Sequence, residues 1–112
     1  MTYDLVAHIK RQRVFSLQAY GPCERTTGVL DHIAKEIEEV RENPGDVSEW
    51  IDLILLSLDG AHRMGFEPEQ IAAALEAKQT INENREWPDW RTADPDKAIE
   101  HVNVMKRPKE EQ

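Results

Sequence analysis

Cysteine is almost absent from this sequence, and long apolar runs and an excess of basic residues are absent too. The single cysteine, Cys23, excludes an internal disulfide framework. The longest apolar run, Ile71 to Leu75, is far shorter than the roughly 18 residues that cross a bilayer. The 14 Lys and Arg residues against 22 Asp and Glu give a formal charge of -8. This balance argues against nucleic acid and against an anionic membrane as partners.

The length and the high polarity limit the architecture. The chain has 112 residues, enough for one domain. We expect that domain over residues 1–102 and a flexible tail over 103–112. The first residues lack the basic and then apolar pattern of a signal peptide, so we expect a cytoplasmic protein. Only 39% of the residues are apolar, and so thin a core favours an oligomer.

Apolar residues recur at helical spacing in four segments, and no segment alternates as a strand does. The clearest pattern is Leu30, Ile33, Ile37 and Val40, spaced by 3, 4 and 3 residues. The sequence therefore predicts an all-α fold, a bundle of about four helices. The predicted helices cover about residues 3–18, 27–42, 46–63 and 68–85, with one further short helical turn over 96–102.

The link between the second and third helices is short and contains Pro44 and Gly45, which stop the second helix. Asp46 or Ser48 can cap the third helix. A link of this length predicts an antiparallel helical hairpin. The third helix carries apolar residues around nearly its whole circumference, so we expect it to be central and buried.

Two pairs of carboxylates flank this hairpin. Glu36 and Glu39 lie three residues apart on the second helix, and Glu49 and Asp52 lie three apart on the third. Residues at that spacing are neighbours on a helix surface, so the two pairs can converge. Clustered carboxylates repel one another, and Mg²⁺ removes the repulsion because it prefers oxygen ligands and bridges carboxylates to phosphates. The alternative is an acidic helix face that is simply solvated.

A second set of polar residues follows on the fourth helix. Lys78 and Asn82 are four residues apart, and Arg85 lies one turn later. Lys and Arg side chains hold phosphate oxygens, so an acidic cluster with a basic stripe suits a metal–triphosphate site. Ordinary surface ion pairing is the alternative for these residues.

These motifs resemble those of a known family. Glu36-x-x-Glu39, Glu49-x-x-Asp52 and Lys78-x-x-x-Asn82 are similar to the all-α nucleoside triphosphate pyrophosphohydrolases of the MazG superfamily. The longer strings match a phage and bacterial subgroup of dATP/dGTP pyrophosphohydrolases that includes the MazZ-type enzymes; these strings are His32–Glu39, Glu49–Asp52, Leu58–Ala61 and Trp87–Arg91. Only nine residues, 40–48, separate the carboxylate pairs, whereas the wider superfamily usually has a longer insert.

The resemblance implies hydrolysis of a purine (deoxy)nucleoside triphosphate to the monophosphate and pyrophosphate. It implies two or three Mg²⁺ ions, which Mn²⁺ can replace, and a homodimer or homotetramer in the cytoplasm, that of a host cell if a phage encodes the protein. Glu36 and Glu39 would be catalytic, Glu39 being the favoured general base, and the metal ligands would be Glu36, Glu39, Glu49 and Asp52. Lys78, Asn82 and Arg85 would bind the phosphates.

The base and ribose pocket is less directly indicated. Trp87 and Trp90 follow the basic stripe, and aromatic rings stack on bases, but both can equally close the end of the bundle. Other candidates are Phe15, Tyr20, Arg25 and Arg91, and the resemblance favours Phe15. Asp59 either supports the metal site or pairs with Arg63.

Two other functions stay open at this point. One keeps the chemistry and changes the substrate to a pyrimidine deoxynucleoside triphosphate or phosphoribosyl-ATP. The other is a non-catalytic helical assembly module.

Overall fold

A computed structural model describes residues 2–103. Over these residues the chain forms four α-helices and no β-strand, so the predicted all-α class is confirmed. The helices are α1 (Leu5–Tyr20), α2 (Thr26–Glu42), α3 (Val47–Arg63) and α4 (Pro68–Glu83), and a single 3-10 turn follows at Trp90–Thr92. Within the same residues, no helix combines the length and the hydropathy that a membrane crossing needs.

Polar caps mark the starts of α1 and α3, and a glycine marks the end of α1. The Asp4 carboxylate accepts a hydrogen bond from the Ala7 N–H at 3.0 Å and caps α1. Gly21 ends that helix with a φ of 86°, which favours glycine because it has no Cβ. Asp46 caps α3 by accepting from the Ser48 N–H at 3.0 Å and the Ser48 hydroxyl at 2.7 Å. These two bonds lower the pKa of Asp46.

Helix α3 is the centre of the packing, because α1 and α2 both contact it. Among the described residues of these three helices, the buried apolar ones are Ile9 of α1 and Val29 and Val40 of α2. Gly60 permits a close approach of α3 to α2, since a Cβ at that position would lie 3.3 Å from Val29 Cγ1. The α2–α3 hairpin predicted from the short link is confirmed.

The prediction that α3 is buried is wrong for the single chain. Trp50 is 50% exposed and Ile54 is 53% exposed, and Asp59 is the one buried residue of α3. Apolar residues around a whole helix are buried only where a neighbour covers them, and α1 and α2 leave one side of α3 uncovered. Exposed Leu30 and Met64 add to this apolar surface.

The contacts divide the chain into two compact units, Met1–Leu75 and Glu76–Gln112. Helix α4 begins in the first unit and ends in the second. The single domain over 1–102 and the tail over 103–112 stay predictions, since residues 104–112 lie outside the described part.

Within the second unit, the predicted helical turn over 96–102 does not form. The Asp94 carboxylate accepts from the Asp96 N–H at 2.9 Å, which makes a turn around Pro95. The Val102 N–H then donates to the Glu86 carbonyl at 2.7 Å. That bond takes a donor that a helix would direct to a carbonyl four residues earlier.

Candidate functional site

Three carboxylates converge at the hairpin. Glu36 of α2 and Glu49 and Asp52 of α3 each place one oxygen so that the three atoms all lie within 4.8 Å of one another. The antiparallel arrangement of α2 and α3 is what brings them together, because Glu36 lies near the end of α2 and Glu49 near the start of α3. The sequence predicted this convergence from spacing and from the short link.

The electrostatics of this cluster are unfavourable without a cation. Burial raises the pKa of the Glu49 carboxyl above its usual value, and the nearby charges of Glu39, Asp46, Asp52 and Glu36 raise it further. A divalent cation would reverse these effects. The donor set is made only of carboxylate oxygens, which suits Mg²⁺ or Mn²⁺.

Glu39 is placed beside the cluster rather than in it. Its charge acts on Glu49, but its oxygens are not among the three that converge. The side chain is exposed. The predicted roles of Glu39 as fourth ligand and as general base stay predictions.

A cavity of about 210 Å³ adjoins the cluster and lies wholly within the first unit. Glu36 and Asp52 form part of its wall. Phe15 and Tyr20, two of the predicted base-pocket residues, line it as well, and their rings meet edge to face with centroids 6.3 Å apart. The remaining lining residues are Gln12, Ser16, His32, Leu55, Leu56 and Asp59.

His32 connects the aromatic wall to the carboxylates, a role that the sequence reading missed. Its Nε2 lies 3.4 Å from Glu36 Oε2, and its ring packs edge to face on Tyr20 with centroids 6.3 Å apart. The signal was its i,i+4 spacing to Glu36. Arg25 lies over the Tyr20 ring, with its guanidinium carbon 5.7 Å from the ring centre.

Gln12 is a second cavity residue that no motif indicated. Its side-chain amide donates to the Leu55 carbonyl at 2.7 Å and contacts His8 Nε2 at 3.0 Å. His8 in turn contacts the Tyr3 hydroxyl at 2.6 Å. This chain of hydrogen bonds fixes the amide of Gln12 at the wall.

Asp59 pairs with Arg63, which decides between the two readings left open by the sequence. The two side chains are 7% and 3% exposed, and Arg63 Nε lies 2.8 Å from Asp59 Oδ2. The guanidinium makes four more hydrogen bonds, to the carbonyls of Gly21, Cys23 and Ser16 and to the Ser16 hydroxyl. Its five N–H donors are thereby all used.

The predicted phosphate-binding residues lie in the second unit. Arg85 donates to the Asn82 side chain at 3.1 Å, so these two residues stand side by side on one face. Lys78 is exposed on the same helix. Their binding of phosphate stays a prediction.

The other predicted base-pocket residues also lie in that unit. Trp87 donates from its indole nitrogen to the Asn82 carbonyl at 2.7 Å. Trp90 is 69% exposed, and Arg91 lies over its ring at 5.1 Å. Contact of these three residues with a base stays a prediction.

Comparison with known proteins gives three matches. The Eaa protein of Salmonella phage P22 is 38% identical over 53 residues, which are 47% of this chain but only 17% of that relative's length. Among solved structures, the cyanophage S-2L MazG-like pyrophosphohydrolase, bound to dGDP and three catalytic Mn²⁺ ions per active site, has a TM-score of 0.66 at 24% identity. The match covers 91% of this chain and 97% of that one, and it shows that the two share a fold.

The third match is to a family. The model of the dATP/dGTP pyrophosphohydrolase family matches residues 8–104. The match includes α1 from His8 onward, the other three helices in full and every candidate site residue named above. This chain belongs to the dATP/dGTP pyrophosphohydrolase family.

Proposed function

We propose that this protein hydrolyses a purine deoxynucleoside triphosphate, dATP or dGTP, to the monophosphate and pyrophosphate with a divalent cation. The observation that carries the proposal is the cavity in which the carboxylate cluster adjoins an aromatic wall. The end with the carboxylates suits a cation and phosphates, and the end with the aromatic rings suits a base. Membership of the pyrophosphohydrolase family supports the same reaction.

Glu36, Glu49 and Asp52 are the residues that would hold the cation, with Glu39 beside them. Mg²⁺ is the ion we propose, in two or three copies, with Mn²⁺ as a substitute; the cyanophage neighbour holds three Mn²⁺ ions. When bound, such ions neutralise phosphate oxygens and lower the pKa of a coordinated water. The cluster fits this role because burial and the neighbouring carboxylates already disfavour the charge of Glu49.

The other residues would position the substrate. Phe15 and Tyr20 offer ring surfaces against which a base can pack. Glu39 stands close to the cluster and is exposed, so it can accept a proton from the attacking water. We further propose that Lys78, Asn82 and Arg85 hold the phosphates.

The decisive experiment is product analysis with a panel of ribo- and deoxyribonucleoside triphosphates, with Mg²⁺, with Mn²⁺ and with EDTA. We expect monophosphate and pyrophosphate from purine deoxynucleotides only when metal is present. Preferred turnover of a pyrimidine triphosphate or of phosphoribosyl-ATP would change the substrate and keep the chemistry. No turnover of any of these would contradict the proposal and favour the assembly module.

Matched variants on one helix test the site itself. Glu36→Gln and Glu39→Gln should abolish metal-dependent hydrolysis with little loss of fold. Glu38→Gln is the control, because Glu38 is exposed and pairs only with Arg41 among the described residues. Equal activity in all three variants would show that the carboxylates do not act on the substrate.

We also propose that the protein is a homodimer or homotetramer. A groove of about 340 Å³ between α2 and α3 is lined by apolar groups that include Leu30 and Met64, both more than half exposed. A second copy offers the same apolar face, as a two-fold interface requires. Light scattering at micromolar concentration should give an oligomer, and Leu30→Glu should dissociate it while Val14→Glu on α1 should not. A monomeric wild type would contradict this proposal.

We expect the protein to act in the cytoplasm, because nucleoside triphosphates and Mg²⁺ are cytoplasmic solutes. The relative from Salmonella phage P22 suggests the cytoplasm of an infected cell.

A further inference from the structure

Asp59 is a carboxylate that lines the cavity without belonging to the metal cluster. Its side chain is 7% exposed, and Arg63 holds only one of its oxygens, Oδ2. The other oxygen, Oδ1, accepts no hydrogen bond from any residue that the structure describes. A buried acceptor without a partner is costly, so this oxygen is available for a donor on a ligand.

The position of Asp59 assigns it to the base end of the cavity. It follows Asp52 by seven residues on α3, which is nearly two helical turns and about 10 Å along the axis. The two carboxylates therefore face the same cavity from different depths. With the phosphates at the cluster and the ribose between, the far end of a nucleotide is its base. Phe15 and Tyr20 line the same space.

The purines differ in what they present to such an acceptor. Guanine carries two adjacent donors, the N1 hydrogen and the 2-amino group. Adenine has an acceptor at N1 and no 2-amino group, so its corresponding edge would face the Asp59 carboxylate with a lone pair. We infer that Asp59 accepts hydrogen bonds from the base and makes the site select guanine over adenine. This inference rests on the proposed function, since it requires a nucleotide in the cavity.

The first test uses the unmodified protein and three substrates. We expect kcat/KM for dGTP to exceed that for dATP by about ten- to a hundredfold, the usual value of a hydrogen bond to a charged acceptor. The inosine analogue dITP keeps the N1 hydrogen and lacks the 2-amino group, so it should fall between them. Equal kcat/KM for dGTP and dATP would overturn the inference.

The second test changes the acceptor. In Asp59→Asn the amide oxygen can still accept from Arg63, while the amide nitrogen brings a donor to the cavity. We expect kcat/KM for dGTP to fall at least tenfold relative to that for dATP, because the new amide donor would face the donors of guanine but the N1 acceptor of adenine. Asp31→Asn is the matched control, because Asp31 is 70% exposed and lies near Lys35 on the outside of α2. An unchanged dGTP/dATP ratio in Asp59→Asn would overturn the inference.

The outcomes separate this inference from the function on which it rests. Hydrolysis of purine triphosphates without a guanine preference would support the proposed function and contradict the role inferred for Asp59. Absence of hydrolysis with either metal would contradict both the proposed function and the role of Asp59. A lower kcat/KM than that of dGTP for 2′,3′-dideoxy-GTP, but not for dITP, would mean that Asp59 binds the sugar hydroxyl and that the inference is wrong. If Asp59→Asn does not fold, equal kcat/KM values for dGTP and dATP in the unmodified protein still overturn the inference.

Discussion

Replacing Arg63 by methionine tests whether the buried ion pair stabilises the fold. The side chain of Arg63 is 3% exposed and that of Asp59 is 7% exposed, so water screens neither charge. The guanidinium also joins α3 to the end of α1 and to the loop after it, through the carbonyls of Ser16, Gly21 and Cys23. Methionine keeps the apolar part of the side chain and removes every one of these hydrogen bonds.

The expected loss is large because the partner stays behind. Removing one member of a buried pair typically costs about 3–5 kcal/mol, since the other charge is left uncompensated. Domains of this size have a free energy of unfolding of about 5–15 kcal/mol. The entropy of unfolding is about 2.1 cal/mol/K per residue, so 1 kcal/mol corresponds to about 4 °C in a chain of 112 residues. The melting temperature should fall by about 12–20 °C.

Urea unfolding followed by far-UV circular dichroism measures the loss in the free energy of unfolding, and thermal unfolding measures the fall in melting temperature. Arg41→Met is the control, because Arg41 pairs with Glu38 at 3.3 Å with both side chains about 70% exposed, and such pairs contribute less than about 1 kcal/mol. Combining Arg63→Met with Asp59→Leu should recover part of the stability, since no buried charge then remains. A loss in Arg63→Met as small as in the control would refute the reasoning.

Three further changes test other parts of the structure. Asp52→Asn should stabilise the metal-free protein, because it relieves repulsion in the cluster, and should reduce the rise in melting temperature on adding Mg²⁺; a rise equal to that of the wild type would exclude Asp52 as a ligand. Phe15→Ala should raise KM by about 5- to 100-fold if the ring stacks on the base, and steady-state kinetics with an unchanged KM would contradict stacking. Asp4→Ala removes the cap of α1 and should cost about 1 kcal/mol in urea unfolding, against no change for the exposed Asp31→Ala.

Local sequence signals were sufficient for the helices. The predicted ends of α2 at Glu42 and of α3 at Arg63 agree with the structure, because a proline–glycine link and a glycine after the helix are local stops. The start of α1 differs by two residues, since Asp4 caps the helix that was expected to begin at Tyr3. Capping depends on a single side-chain conformation that periodicity does not report.

The cluster was predictable in part. The spacing and the short hairpin brought Glu36, Glu49 and Asp52 together, while Glu39 lies beside the cluster with no oxygen among the three that converge. The role of Asp59 could not be decided from sequence. Its i,i+4 spacing to Arg63 is visible, but the burial of the pair depends on Ser16 and on loop carbonyls about 40 residues away.

The extent to which α3 is buried was mispredicted for a related reason. Periodicity indicates which residues are apolar and not which of them a neighbour covers. In the described residues α1 and α2 cover two sides of α3, and Trp50 and Ile54 stay exposed. The pattern that suggested burial therefore fits a face that a second copy would complete.

The cavity has acidic groups at both ends, and they differ in whether a cationic side chain pairs with them. At Asp59 it supplies its own cation, Arg63, with every donor satisfied. At the cluster, the described part of the chain supplies no lysine or arginine within 4.0 Å of Glu36, Glu49 or Asp52, and only His32 is near. Charges that repel one another and are partly buried destabilise a fold, so the unpaired cluster has a cost in stability. The divalent cation that we propose for this cluster would offset that cost, because it would neutralise the repelling carboxylates.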